Sequence, residues 1–230
     1  MCRGTEVCTV LGDDRSHWSK ECPLPLPSFF HDALNSFKDA VIYLVDGNYQ
    51  ESLRSLAESN ADSVGSFFIE HGQQSAYFRV QNRVDVDTAN RLAKEINESP
   101  RLIPKIEEKV FIRDSYRCRY CGMRIIAKDV FKEFSRIVGS EIFSVQRENS
   151  KRNGLTLGLR GVADHVAPYA SGGVTELDNL VTSCYSCNFG KAGYTLEQLG
   201  IKDPRLRIPI SDEWLGLTEY LPLLRKMKDK

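Results

Sequence analysis

From residue 29 to residue 45 the apolar positions Phe30, Leu34, Phe37, Val41 and Leu44 recur every three or four residues. That stripe predicts an amphipathic helix. A second helix is expected over residues 49–58. Residues 66–70 and 76–80 are rich in Phe, Tyr, Ile and Val and flank His71-Gly72-Gln73-Gln74, which reads as a hairpin of two strands. Asp87 is placed to cap a helix running to residue 98. A short helix is expected over residues 105–114, another over 127–138, and a polar loop over 147–154. Residues 155–166 and 179–183 then read as strands, with a helix from Cys187 onward. In the tail, Trp214, Leu215, Leu217, Leu221 and Leu224 suggest a docking helix.

Composition changes this picture at one point. The 230 residues carry no formal net charge, but residues 1–100 hold 9 Lys/Arg against 15 Asp/Glu, and residues 101–160 hold 14 against 7. The basic stretch predicts a polyanionic partner, which the neutral total conceals. No stretch approaches the roughly 20 apolar residues of a membrane span, and the amino terminus lacks the apolar core of a secretory signal. The expectation is a cytoplasmic protein, no membrane association and reduced thiols.

Reduced thiols bear on the seven cysteines. Cys118 and Cys121 form one Cys-x-x-Cys turn, and Cys184 and Cys187 another. Each turn brings two sulfurs to one ion, and four thiolates complete a tetrahedral Zn²⁺ shell with no position left for substrate. Zinc is therefore expected as a structural staple, with residues 123–160 looping out between the two turns. Cys2, Cys8, Cys22 and His17 match no chelating turn and read as ordinary side chains. Tyr116 and Tyr120 read as packing around the zinc.

Between and beside the cysteine pairs run Arg113-Asp114-x-Tyr116-Arg117-Cys118-x-Tyr120-Cys121-Gly122, Asp164-His165-Val166-x-Pro168, Gly172-Gly173, Asn179-Leu180-Val181 and Cys184-x-x-Cys187-Asn188-x-x-Lys191. Over residues 105–197 this pattern resembles the HNH endonuclease family, as a His-Asn-Asn variant, because Asn188 stands where the third family letter is usually His. The resemblance implies a ββα-metal finger stapled by the four-Cys zinc site and leaves the first hundred residues unexplained. With the mostly helical N-terminal region that periodicity predicts, the expected class is α+β. The pattern divides the chain into an N-terminal region of unknown role (1–100), a nuclease domain (105–197) with its insertion (123–160), and a tail (198–230).

The chemistry of the residues agrees. Hydrolysis of a phosphodiester needs a base for the attacking water, and His165 is the one histidine in the motif. A hard cation, Mg²⁺ or Mn²⁺, needs oxygen ligands, and Asp164 offers a charged one. By analogy, Asn188 adds an amide oxygen, Asn179 fixes the loop and the orientation of His165, and Lys191 reaches a phosphate oxygen. In the basic insertion, Lys132, Arg136, Arg147, Lys151 and Arg152 are candidates for nucleic-acid contacts.

The leading expectation is a metal-dependent DNA endonuclease leaving 5′-phosphate and 3′-hydroxyl ends, with restriction or antiphage defence as the setting. Two alternatives stand beside it. One is a zinc-stapled nucleic-acid-binding module that does not cut. The other is a toxin-like or RNA-cleaving nuclease controlled by a partner protein bound through residues 1–100.

Overall fold

A computed structural model describes residues 8–82 and 104–228, and the helix expected after Asp87 lies outside them, as does Cys2. Helix α1 (Phe29–Val45) buries Phe30, Leu34, Phe37, Val41 and Leu44, the stripe that its sequence predicts. It pairs with α2 (Tyr49–Ala57), where the Ser52 hydroxyl donates to the Ala40 carbonyl at 2.7 Å.

The hairpin expected at residues 66–80 does not form. One helix, α3 (Ala61–Gln81), runs through both segments. Aromatic and β-branched residues suggested strands there, yet Val64, Phe67, Phe68, His71, Ser75 and Phe78 recur at helical spacing and are buried. Gly72 is buried inside this helix and not in a turn, and a Cβ at this position would make only ordinary contact with Phe189 at 3.8 Å.

The next elements follow their sequence: α4 (Pro104–Arg113) and α5 (Lys128–Val138), the latter burying Val130, Phe131, Phe134, Ile137 and Val138. The polar stretch after α5 contains a 3₁₀ turn, Asn149–Lys151. Residues 155–159, read as the start of a strand, are instead part of helix α6 (Gly154–Leu159). Asn153 caps it by accepting from Leu155 N–H at 2.9 Å. Burial on all sides explains why this Leu-Thr-Leu-Gly-Leu run shows no helical alternation. Gly154 lies against α3, where a Cβ would sit 1.8 Å from the Ala61 carbonyl oxygen.

Strand β1 (Gly161–His165) then pairs antiparallel with β2 (Leu180–Cys184), so that Asp164 faces Val181 and His165 faces Leu180. Helix α7 (Tyr185–Lys191) follows β2 directly and completes a ββα unit. This is an α+β fold with a small two-stranded sheet among helices. Helix α8 (Leu196–Leu199) carries a capping box between Thr195 and Gln198.

The tail docks differently from the expectation. Trp214, Leu217 and Leu224 are buried and Leu221 is partly buried, whereas Leu215 stays exposed. The chain between them is a 3₁₀ turn and a single helical turn, α9 (Leu221–Leu224), because Gly216 and Pro222 interrupt a longer helix. Polar bonds reinforce this apolar docking. Trp214 Nε1 donates to the Ile125 carbonyl at 2.8 Å, and Asp212 accepts from Arg117 and Arg124.

The apolar core is continuous through these elements. Phe37 of α1 stacks with Phe131 and Phe134 of α5 and with Phe143, at centroid distances of 4.9 to 5.4 Å. Arg79 of α3 is buried and donates to the carbonyls of Cys22, Pro23 and Leu199, which ties the segment before α1 to α8. No helix among the described residues is long and apolar enough to cross a membrane.

Candidate active site and metal clamp

The two Cys-x-x-Cys turns meet. The first closes through Cys118 N–H to the Met123 carbonyl and Gly122 N–H to the Cys118 carbonyl, both 2.8 Å. The second sits where β2 becomes α7, and Cys184 Sγ accepts from Cys187 N–H as the helix cap. One sulfur from each of Cys118, Cys121, Cys184 and Cys187 lies within 4.8 Å of the others, and Cys121 and Cys184 are 3.8 Å apart. A tetrahedral ion with zinc–sulfur bonds of about 2.3 Å requires sulfurs about 3.8 Å apart, so the donor set fits Zn²⁺. Burial pushes the Cys118 thiol up, but hydrogen bonds from the other three outweigh it and hold Cys118 well below the ordinary thiol range. Cys8, Cys22 and His17 join no such cluster among the described residues. Cys22 is a buried thiol raised to about 11 by desolvation.

The four-sulfur clamp is coupled to the adjacent cleft through Tyr120, which lies between Cys118 and Cys121 in the chain. Its buried hydroxyl donates to Asp164 Oδ2 at 2.6 Å. Lys191, also buried, places Nζ 3.5 Å from the same carboxylate and 2.8 Å from the His165 carbonyl oxygen, to which it donates. Burial raises the Asp164 carboxyl, opposed by Lys191 and by the Tyr120 hydroxyl. Tyr120 is pushed well above the ordinary phenol range by burial and then by the Asp164 charge.

His165 is oriented by the loop that joins the strands. Its Nε2 lies 2.9 Å from Thr175 Oγ1, and the Tyr169 ring stands edge-on to it at 5.6 Å. Asn179 holds that loop closed. Its Oδ1 accepts from Ala167 N–H at 2.8 Å, and its Nδ2 donates to the carbonyls of Ala167 and Val174. Gly173 permits the closure, because a Cβ there would fall 1.9 Å from the Ala167 carbonyl oxygen. The Arg113-Asp114 pair secures the other side. Asp114 accepts from Thr182 N–H at 2.7 Å, and Arg113 donates to the carbonyls of Leu177 and Leu180.

Asp164, His165, Asn188 and Lys191 line one cleft of about 530 Å³, together with Arg160, Tyr185 and Phe189. Gln73 of α3 forms part of its wall, so the N-terminal helices contribute to the site. The anionic oxygen of Asp164 and the amide of Asn188 are hard donors in one place, a set suited to Mg²⁺ or Mn²⁺ with water completing the shell.

The basic candidates are dispersed. Lys132 pairs with Asp129 at 3.1 Å, and Lys151 with Glu148 at 2.7 Å. Arg136 is bound to Glu133 and to the carbonyls of Leu224 and Met227, an anchor for the tail. Arg147 is exposed, and its carbonyl accepts from Arg152. Arg152 reaches the cleft, where it donates to the Tyr185 hydroxyl at 3.3 Å. Thr175, Tyr120 and Arg113 were not singled out for these roles from sequence, because each acts only once the loop and the zinc turn have closed in space.

No curated protein and no solved structure matches the chain. Residues 160–192, which span the two strands and the helix that closes the unit, match the family described as HNH endonuclease.

Proposed function

We propose that the protein is a metal-dependent endonuclease that hydrolyses phosphodiester bonds in DNA. One observation carries the reading most directly. His165 has one ring nitrogen beside Thr175, and it shares a cleft with Asp164 and Asn188 next to the four-sulfur clamp. A non-cleaving binding module has no use for that convergence.

Thr175 holds the His165 ring through Nε2, and the neutral imidazole can take the proton of the attacking water. A divalent cation held by Asp164 and Asn188 would supply counter-charge for the phosphate and for the leaving oxygen. Lys191 neutralises Asp164 in part and fixes the His165 backbone, which keeps the carboxylate in place. Tyr120 transmits the rigidity of the zinc turn to the same carboxylate. In this reading zinc is structural, because four thiolates leave it no open position.

Residues 105–197 form the nuclease domain, and the acidic residues 1–100 combine a wall of the cleft with a surface for a partner protein. A thiol clamp of this kind suits a reducing, cytoplasmic setting, and restriction or defence against foreign DNA fits a nuclease there. Labelled duplex DNA and RNA incubated with zinc-loaded protein and Mg²⁺ or Mn²⁺ test the proposal. DNA is expected to be cut to ends that a ligase can rejoin, as 5′-phosphate and 3′-hydroxyl termini require. Binding in a shift assay without cutting of either substrate would favour the non-cleaving module.

A further inference from the structure

Among the described residues, Arg160 forms no ion pair within 4 Å. It ends α6, just before β1, and its backbone carbonyl accepts from Tyr185 N–H at 2.8 Å. Its guanidinium lies over the Tyr185 ring, 5.4 Å from the centroid, and lines the cleft that holds Asp164 and His165. Its Nε is buried without a hydrogen-bond partner, and no acidic side chain among the described residues pairs with it. A second cation shares the same ring, because the Arg152 guanidinium stands 5.7 Å from the Tyr185 centroid. Arg152 is anchored by the carbonyls of Gln146 and Arg147 and by the Tyr185 hydroxyl, so its position is fixed. Burial pulls the Arg160 guanidinium down from its ordinary value, opposed by Tyr185 and, more weakly, by Glu107 and Asp129, while the charge of Arg152 adds to the lowering.

A half-buried guanidinium with unused donors, beside another cation and facing a cleft, is a site for an anion. Stacking on an aromatic face also holds the planar fork ready for two oxygens at once. We propose that Arg160, backed by Tyr185 and Arg152, binds a phosphodiester of the substrate other than the one being cut. This rests on the nuclease reading above. Five residues separate Arg160 from His165, roughly 16 Å of chain if extended, a span that fits neighbouring phosphates along one strand of substrate better than a single phosphate. Arg160 therefore contributes binding that is equal in ground and transition states, and its loss acts on affinity instead of turnover.

Binding of a short fluorescent DNA duplex is measured in the His165→Ala background, from about 50 to 200 mM salt. Arg160→Gln is expected to weaken binding about tenfold at the low end. It is also expected to reduce the slope of log affinity against log salt by about 0.9. Arg160→Lys, which keeps charge but loses the fork, is expected to restore the slope with weaker binding. With His165 intact, Arg160→Gln is expected to raise KM and leave kcat near wild type. Lys202→Gln, an exposed site paired with Glu21, serves as the control.

A zinc-loaded Arg160→Gln protein with unchanged affinity and slope would overturn the proposal while leaving the nuclease reading intact. So would a loss confined to kcat. Absence of both DNA binding and cleavage in the parent proteins would overturn both readings. Should Arg160→Gln lose its zinc, Arg160→Lys carries the test, and undiminished affinity in that variant overturns the assignment.

Discussion

Thr175 Oγ1 lies 2.9 Å from His165 Nε2 and holds that edge of the ring of the proposed base. It is a positioning residue. Thr175→Val is expected to lower kcat about 10- to 100-fold with KM and zinc content unchanged, and Thr175→Ser to recover most of the loss. Equal loss in both variants would mean that the methyl group matters and the hydroxyl does not. Asp212 gives a stability prediction at the same scale. Partial burial raises its carboxyl, but hydrogen bonds from Arg117, Arg124 and Trp214 N–H outweigh this and hold it at about 2, against 3.8 for the free group. A lowered carboxylate stabilises the fold above its unfolded value and loses that contribution as pH falls through the folded one. Asp212→Asn is therefore expected to cost about 1–2 kcal/mol near neutral pH, after allowance for partial exposure. Denaturant melts should show that gap narrowing from pH 3.8 downward.

At the scale of elements, what was legible in the sequence depended on how local the cause is. The α1 stripe, the two cysteine turns and the Asp164-His165 pair are set by spacing over a few residues, so each falls where the sequence puts it. The α3 helix was misread because Phe67-Phe68-Ile69 and Gly72 signal strand and turn by composition, while the helix is selected by packing on α6 and α7. Helix α6 was misread for the opposite reason: it is buried all round, so no polar face marks its period. The α3–α6 contact supplies a test. A Cβ on Gly154 would meet the Ala61 carbonyl at 1.8 Å and Gly65 N at 2.7 Å, both backbone atoms that cannot swing aside. Gly154→Ala is expected to cost about 1–3 kcal/mol, a fall of several degrees in melting temperature by calorimetry. An unchanged melting temperature would mean that the two helices are not in contact.

Across the whole molecule, the core residues of α1, the insertion and the ββα unit form one cluster, and the zinc turn is bonded to both the cleft and the tail. Arg119 of that turn donates to the Pro204 carbonyl, and Arg119 N–H donates to Thr182 of β2. Loss of the ion is thus expected to propagate beyond the cysteines. Cys184→Ser is expected to abolish zinc binding, measured by atomic absorption, and to broaden or remove the thermal transition of the chain. A soluble, active and zinc-free variant would contradict a structural role for the clamp. The global arrangement was the least legible part of the sequence. Nothing local announces that Gln73 reaches the cleft or that Arg160 and Tyr185 stack, because these contacts exist only after distant segments have packed.

The central claim is that His165 and its cleft cut nucleic acid with the help of a divalent cation. Nicking of supercoiled plasmid by wild-type and His165→Ala proteins of matched zinc content, with and without added Mg²⁺ or Mn²⁺, tests it most directly. Metal-dependent conversion to open circles is expected for the wild type, at a rate at least about 100-fold above that of the variant. Equal nicking by the two proteins, or cutting that does not depend on the added metal, would contradict it.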